Sequence, residues 1–485
     1  MRRAERPAHS LALVVVDMKG NGSGALARAS EQPKRPAANS AASQPVSVAW
    51  HAVDMPTLSE DLSWRGLIEQ ESPQVRRALD TERHAGYVGF DPSAASLHIG
   101  HLLGIITLRR LQDAGHRPIS LAGGGTGLIG DPGGKATERP LLSLEQIAEN
   151  VAGIRTQLAG LLDFSPERGE SQALLLNNAD WLVELRLTDF LREIGKHFTV
   201  NQMIAKESVS ARIARPEQGV SFTEFSYMLL QATDFLHLFD EHACRFQMGG
   251  SDQWGNITMG LDLIRKTRGE EAHAFTWPLL VRSDGAKMGK SEEGAVWLDR
   301  RLTSTFAMYQ WFVRVPDADA GVMLRRFTFL GHEEIERLEQ ATKDHPERRE
   351  AQQALALDVC TFVHGPEETA RAERAARALY TDEIAALDAD LLADVVADAP
   401  SSVADRTALD GDGLDLAEAL VTSGLCSSRS EARRVISQGG AYVDNVRRGG
   451  GHADAGALVT RADLLADRYV LLRRGKQDYH VLIFE

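Results

Sequence analysis

Cysteine is nearly absent from this chain: Cys244, Cys360 and Cys426 are the only three in 485 residues. They are widely scattered and show no C-x-x-C spacing, which argues against a disulfide framework or a zinc site and fits a reducing, cytoplasmic setting. Long apolar runs are missing as well. No stretch reaches the roughly 18–20 residues that a membrane span needs, so no membrane partner is expected. Positive charge is in deficit: 54 Lys and Arg stand against 68 Asp and Glu, a net charge of -14. That balance argues against broad, non-specific nucleic-acid binding but leaves room for a local basic face. No internal repeat is present. What remains, 43% hydrophobic and 25% charged residues, is ordinary for a globular enzyme. The length implies more than one domain, since single cores rarely grow past about 250–300 residues.

Residues 1–54 are unlike the rest. Leu11–Val16 is a short apolar run cut off by Asp17 and Lys19, and an Ala-, Ser-, Pro- and Gly-rich stretch comes after it. This composition predicts a disordered extension and not a secretion signal. Met55 resembles a natural start.

From Trp64 to about residue 295 short apolar runs alternate with helical periodicity. His84–Phe90 reads as a strand and His98–Ala114 as a helix buried through Leu102, Leu103, Ile106, Leu108 and Leu111. Pro118–Ala122 reads as a second strand entering Gly123-Gly-Gly-Thr-Gly127. Strand, helix, strand in this order predicts a right-handed βαβ unit and an α/β, Rossmann-like parallel sheet, with ligands outside the carboxyl ends of its strands. Tyr87 and Asp131 fall near those ends. From about 296 to 395 the strand signal fades; Glu333–Lys343 and Ala351–Val363 read as amphipathic helices of an α-helical domain. Residues 396–413 are linker-like. Residues 414–485 then read as a small α+β module: helices over Leu414–Ser423 and Ser430–Gln438, the latter with Ser430 as N-cap. A hairpin at Tyr442–Val446 and closing strands Tyr469–Arg474 and Tyr479–Phe484 complete it.

Three patterns carry chemistry. His98-Ile-Gly-His101 places two imidazoles three apart at a helix start, where they share a face and meet the positive end of the helix. An ATP phosphate suits that environment. Lys287-Met-Gly-Lys290-Ser291 lies in a glycine-punctuated polar loop able to close over a triphosphate. Tyr227, Gln231 and Asp234 fall at i, i+4 and i+7 of a helix over Phe222–Phe239, so their side chains form one line on an otherwise apolar helix. A polar line on a buried helix reads as a binding face.

With these strings in order, the chain from 55 to 485 resembles the bacterial-type tyrosyl-tRNA synthetases of class I. The resemblance rests on Tyr87–His101, Gly127-Leu-Ile-Gly-Asp-Pro132, Ser221–Tyr227, Gly249-Gly-Ser-Asp-Gln-Trp-Gly-Asn256 and Lys287–Ser291. It implies activation of L-tyrosine by ATP, accompanied by Mg²⁺, to tyrosyl-adenylate, then transfer to the terminal ribose of tRNA(Tyr) by a homodimer. No tightly bound cofactor and no protein-held metal are implied.

The resemblance also implies roles. Tyr87 and Asp234 would hold the substrate phenol. Tyr227, Gln231 and Asp131 would take its ammonium group, and Gln253 would lie beside the carboxylate and α-phosphate. Gly250 and Asp252 would hold the ATP ribose, with Gly89, Asp91, His98, His101 and Lys290 also on the ATP side. His98, His101, Lys135, Arg139, Lys287, Lys290 and Ser291 would serve the phosphates. Three positions depart from the family pattern: Ala136 replaces a second loop cation, Ala95 a common aspartate, and Gly289 the serine of KMSKS. The tail resembles an S4-type RNA-binding module. Arg429, Arg433, Arg434, Arg447, Arg448, Arg473, Arg474 and Lys476 would supply its phosphate contacts.

Overall fold

The computed structural model describes residues 56–131, 142–206, 209–210, 213, 220–281, 290–291, 294–449, 457–475 and 478–485. Residues 1–54, Lys135, Arg139, Lys287 and Lys476 lie outside them. For Lys290 and Ser291 only the backbone is described.

A six-stranded sheet organises the first half. Its order is β1 (Gln70–Glu71), β6 (His273–Trp277), β5 (Cys244–Gly250), β2 (Ala85–Phe90), β3 (Arg117–Ala122), β4 (Leu174–Asn177). All neighbours are parallel except β1, which runs antiparallel to β6. β2 and β3 are almost continuously buried, as strands covered on both faces must be. The chain passes from β2 through α3 (Ile99–Asp113) to β3. On the other side of β2 lies β5, reached much later in sequence. The order therefore reverses between β2 and β5, and a crevice opens at their carboxyl ends. Helix α4 (Leu144–Leu161) and α3 pack with one face of the sheet into the larger core. The other face is covered by α5 (Phe222–His242) and α6 (Trp254–Arg268).

Six helices come next: α7 (Thr305–Val313), α8 (Asp317–Phe327), α9 (His332–Asp344), α10 (Glu350–His364), α11 (Pro366–Ala378) and α12 (Ala389–Asp398). The last sheet has the order β12 (Val446–Arg448), β11 (Ala441–Val443), β14 (Tyr469–Arg474), β15 (Asp478–Phe484), β9 (Ser401–Ala404). β9 lies inside the stretch expected as linker: it pairs parallel with the final strand, Val481 opposite Ser401. A 3₁₀ turn over Arg406–Leu409 then leads from β9 to β10 (Leu414–Asp415). Accordingly the helix expected from Leu414 begins at Leu416. The N-cap expected at Ser430 is Ser428, whose hydroxyl accepts from the Glu431 amide at 3.2 Å and starts the helix earlier, at Arg429.

One ionic node ties the amino-terminal helix α1 (Leu58–Trp64) to α3 and the helical region. Asp61 accepts from Arg65 Nε at 2.8 Å, Arg110 Nη1 at 2.8 Å and His332 Nε2 at 2.7 Å. Arg65 also donates to the carbonyls of Thr328 and Leu330. Burial would raise the Asp61 pKa, but Arg110 and Arg65 outweigh it and hold the carboxyl below its usual value. A depressed carboxylate stabilises the fold above its ordinary pKa and ceases to do so as pH falls through the depressed one. Asp61→Ala leaves two buried guanidinium groups without their counter-ion. We expect a loss of about 3 kcal/mol in chemical denaturation at pH 7, shrinking in acid; an unchanged midpoint at pH 7 contradicts this.

Candidate active site

The crevice between β2 and β5 deepens into a cavity of about 320 Å³, within the usual range for small-molecule sites. Every described side chain that the sequence put on the tyrosine side lines it: Tyr87, Asp131, Tyr227, Gln231, Asp234 and Gln253. So do Gly89, Asp91, His98, His101, Gly250 and Asp252.

Asp234 is fully enclosed on α5, 2% exposed. Its Oδ2 accepts from Asn178 Nδ2 at 2.9 Å and its Oδ1 from Trp181 Nε1 at 2.8 Å. Burial pushes its pKa up to about 7, against the two hydrogen bonds that favour the anion. Tyr87 projects from β2, its ring 5.5 Å from that of Phe235. Its hydroxyl is buried and has no hydrogen-bond partner among the described residues. Burial first, then the Asp234 charge, push the Tyr87 phenol well above its ordinary pKa. A buried carboxylate with free lone pairs and a buried, unpartnered hydroxyl thus face one cavity. Each unsatisfied group costs free energy until a ligand pairs it.

A second network holds the neighbouring wall. Tyr227 Oη donates to Asp91 Oδ2 at 2.8 Å, and Thr126 Oγ1 donates to Asp91 Oδ1 at 2.9 Å. Asn178 Nδ2 also reaches Thr126 Oγ1 at 3.0 Å, linking this network to Asp234. Gly123 is required here, since a Cβ would fall 2.3 Å from Asp91 Oδ1. Asp91, expected only on the ATP side, therefore also fixes Tyr227. Gln253 Nε2 donates to Asp131 Oδ2 at 2.9 Å, and Asn256 Nδ2 donates to Gln231 Oε1 and Gln253 Oε1.

The two histidines begin α3. His98 is the N-cap: its Nδ1 accepts from the Gly100 amide at 3.0 Å, and His101 Nδ1 accepts from the His98 amide at 3.1 Å. An Nδ1 that accepts places the proton of a neutral ring on Nε2. Both imidazoles thereby keep Nε2–H as the donor, at the positive end of a helix. Gly100 leaves room for this arrangement, because a Cβ there would lie 2.7 Å from His98 Cε1.

Sequence reasoning missed Asn178, Trp181, Thr126 and Asn256. A signal existed for the first two: Leu174-Leu-Leu-Asn-Asn178 is an apolar run ending in polar residues, and the carboxyl end of a parallel strand is where ligands bind. In the tail, most of the expected phosphate contacts are engaged within the module. Arg447 donates to the carbonyls of Gly439 and Gln438, Arg448 pairs with Asp463, Arg473 lies over Tyr442, and Arg474 pairs with Glu431. Arg429 pairs with Glu418. Arg433 and Arg434 are exposed on α14 (Arg429–Ser437), α13 being Leu416–Thr422, and have no ion pair among the described residues.

Comparison with known proteins agrees with this geometry. Residues 79–381 match the class I tRNA synthetases of the tryptophan and tyrosine group, and residues 392–482 match the C-terminal domain of SYY-like tyrosine–tRNA ligases. The tyrosine–tRNA ligase of Roseiflexus castenholzii is 53% identical over 88% of this chain and 99% of its own length. This chain belongs to the tyrosine–tRNA ligase family. The Geobacillus stearothermophilus enzyme is 47% identical over the same share of each chain. Among solved structures, a C-terminally truncated mitochondrial tyrosyl-tRNA synthetase of Aspergillus nidulans superimposes with a TM-score of 0.61. It is 32% identical, covering 67% of this chain and 95% of that one. The fold is that of a class I synthetase, and the family's reaction is aminoacylation of tRNA with tyrosine.

The Asp234 carboxyl supplies a pH test. Only its anion offers every lone pair to a phenol O–H, so if the substrate phenol meets Asp234, tyrosine binding and deprotonation would favour each other. Tyrosine affinity should rise as pH increases through about 7 and gain about tenfold between pH 6 and pH 8. Equilibrium titration of tryptophan fluorescence would measure it. Asp234→Asn should bind weakly with no such dependence; the wild-type slope persisting in that variant rules out Asp234 as its source.

Proposed function

We propose that this cavity activates tyrosine with the following division of labour. Asp234 accepts the substrate phenol O–H and Tyr87 pairs with its oxygen. Tyr227, Gln231 and Asp131 receive the ammonium group, and Gln253 lies beside the carboxylate and α-phosphate. Gly250 and Asp252 hold the ATP ribose. Gly89 and Asp91 line the ATP path, and His98 and His101 donate Nε2–H to phosphate oxygens, joined by Lys135, Arg139, Lys287, Lys290 and Ser291. The supporting observation is the pair of unsatisfied buried groups, Tyr87 and Asp234, in one cavity with two Nε2–H donors. A site built to hydrogen-bond a hydroxyl rejects the analogue lacking it by about 10⁴–10⁵, a figure for which tyrosyl-tRNA synthetases are themselves the reference case. The same pair disfavours tryptophan as the substrate, since an indole has no phenol to place there.

The substrate carboxylate, already ionised, attacks the α-phosphorus; an O–P bond forms as the bond to pyrophosphate breaks. No general base is needed. The protein positions the reactants and neutralises spread negative charge. Mg²⁺ brought with ATP supplies further charge neutralisation. The described residues hold no group of three His, Cys, Asp or Glu side chains arranged for a metal, so the triphosphate would furnish much of its shell. A ribose hydroxyl of the tRNA terminus then takes the tyrosyl group and AMP leaves.

A homodimer accounts for the apolar side chains exposed along residues 183–222. Phe222 is 76% exposed, Leu187 70% and Val183 61%, with Leu191 and Val200 near them in sequence. Exposed Arg433 and Arg434 on α14 are the residues we assign to tRNA phosphates. No described helix is long and apolar enough to cross a membrane, and all three cysteines are free thiols; we place the enzyme in the cytoplasm.

ATP–pyrophosphate exchange with tyrosine, tryptophan and phenylalanine in parallel tests the pocket. Exchange with tyrosine alone is expected, and equal exchange with tryptophan overturns the assignment. A chain ending at Asp398 separates the steps, because it removes β9 along with the sheet it belongs to. Adenylate formation should persist and tRNA charging should fall by about tenfold or more. Equal loss of both would make the tail part of the catalytic fold.

A further inference from the structure

The segment leading into His98, residues 92–97, is held from two sides. On one side stands α4, which presents Asn150, Gly153 and Gln157 at i, i+3 and i+7, a single face. Asn150 Nδ2 donates to the Pro92 carbonyl at 2.9 Å. At Gly153 that segment comes so close that a Cβ would fall 2.3 Å from the Ala95 carbonyl oxygen. Gln157 is bonded three ways: its Oε1 accepts from the Leu97 amide at 2.9 Å and from Ser96 Oγ at 3.4 Å, and its Nε2 donates to Ser96 Oγ at 3.1 Å. Ser96 Oγ in turn donates to the Leu97 carbonyl at 2.7 Å and accepts from the Asp299 amide at 3.2 Å.

On the other side runs the segment just beyond the second phosphate-handling string. Lys290–Ser291 (β7) pairs antiparallel with Gly294–Ala295 (β8), and the chain continues into 296–298. There the Leu298 amide donates to the Leu97 carbonyl at 2.8 Å, and the Ile99 amide donates to the Val296 carbonyl at 3.0 Å. Trp297 bridges to His98 between them, their rings 6.0 Å apart. The first string and the segment that follows the second, about 190 residues apart in sequence, are thus joined by two backbone hydrogen bonds. Ser96 and Leu97, 3% and 1% exposed, are the buried node on which α4, the first string and residues 296–299 meet.

We propose that Gln157, with Gly153 and Ser96, is a positioning device for ATP activation: it sets the register between the segment entering His98 and the segment returning from Lys290–Ser291. Gln157 does not line the cavity. It acts through Leu97, whose placement fixes where the His98 and His101 donors stand relative to the second string. Misplacing such groups by 1 Å can cost about 10²-fold in rate. The inference rests on the phosphate roles proposed above.

The test uses the full chain and three readings: tyrosine Kd without ATP, the single-turnover rate of adenylate formation, and the thermal midpoint. Gln157→Met keeps length and loses these hydrogen bonds; Gly153→Ala pushes on the Ala95 carbonyl. Each should slow adenylate formation by about tenfold or more while tyrosine Kd stays within about twofold. Gln157→Glu still accepts from the Leu97 amide and the Ser96 hydroxyl, and should recover most of the rate. His98→Ala is run beside them. If it slows the reaction while Gln157→Met and Gly153→Ala proceed at the wild-type rate, the positioning role is wrong and the phosphate reading stands. If His98→Ala is itself without effect, the phosphate reading falls and the inference with it. Parallel loss of tyrosine affinity, rate and thermal midpoint would make Gln157 a stability residue, which also overturns the proposal.

Discussion

The catalytic half of this molecule is arranged around a carboxylate buried with no cation beside it among the described residues. Asp234 has lost its water, and its charge is supported by two neutral donors, Asn178 and Trp181. That support leaves the pKa near 7, and the carboxylate still has acceptor capacity left. An arginine beside it would hold the carboxylate ionised and satisfied, and would remove any preference for a hydroxyl-bearing ligand. Two amide- and indole-type donors orient it without satisfying it. The unpartnered Tyr87 hydroxyl is the matching half. The protein stores an unfavourable pair of buried polar groups that a phenol resolves and a phenyl ring does not.

Holding that pair requires a rigid frame, and the sheet topology provides it. Tyr87 sits on β2 opposite Gln247 of β5, at the point where strand order reverses. Asp234 comes from the helix before β5, and its supporters come from the turn after β4. Tyr87, Asp234 and the two supporters therefore enter from three different parts of the fold. The chain Asp234, Asn178, Thr126, Asp91, Tyr227 runs unbroken along the cavity wall. It joins the proposed phenol end to the proposed ammonium end, so a change at one is felt at the other.

What the sequence made legible was local. The His98–His101 string and the polar line of α5 are visible because helical spacing places those side chains together whatever else the chain does. The supporters were hidden because hydrogen bonds such as Asn178 to Asp234 connect residues 56 apart, and no period reports that. The same limit explains β9. Ser401–Ala404 reads as linker because its neighbours are proline and serine, yet it pairs with a strand about 80 residues later. Ser428 outcompetes Ser430 as N-cap because the Ser427 amide and hydroxyl already bind Glu431, fixing where the first turn begins. Charge was the least legible property. Eight basic residues in the tail looked interchangeable, but Arg447, Arg448, Arg473 and Arg474 hold the module together through carbonyls, carboxylates and a ring. Basic content therefore overstates the surface available to an RNA, and partners decide which guanidinium groups remain.

That redistribution also fixes where the remaining positive charge points. Leu465, Tyr469, Leu471 and Val481 of the terminal module are buried in the same core as the helical region. The turn between β11 and β12 adds a directional contact: Asn445, at φ 63°, donates to the carbonyls of Ala378, Leu379 and Thr381 at the end of α11. Those are carbonyls a helix terminus leaves without intrahelical partners. A type I′ hairpin favours asparagine or glycine in that conformation, and only asparagine also carries an amide to reach them. Apolar burial sets how strongly the module is held, and the amide sets at what angle. Arg433 and Arg434 lie on α14, which packs with the inner side of the same sheet. Their orientation toward the rest of the molecule is thus inherited from apolar burial and from the Asn445 amide, neither of which is basic, which is why a reading of charge alone could not have located it.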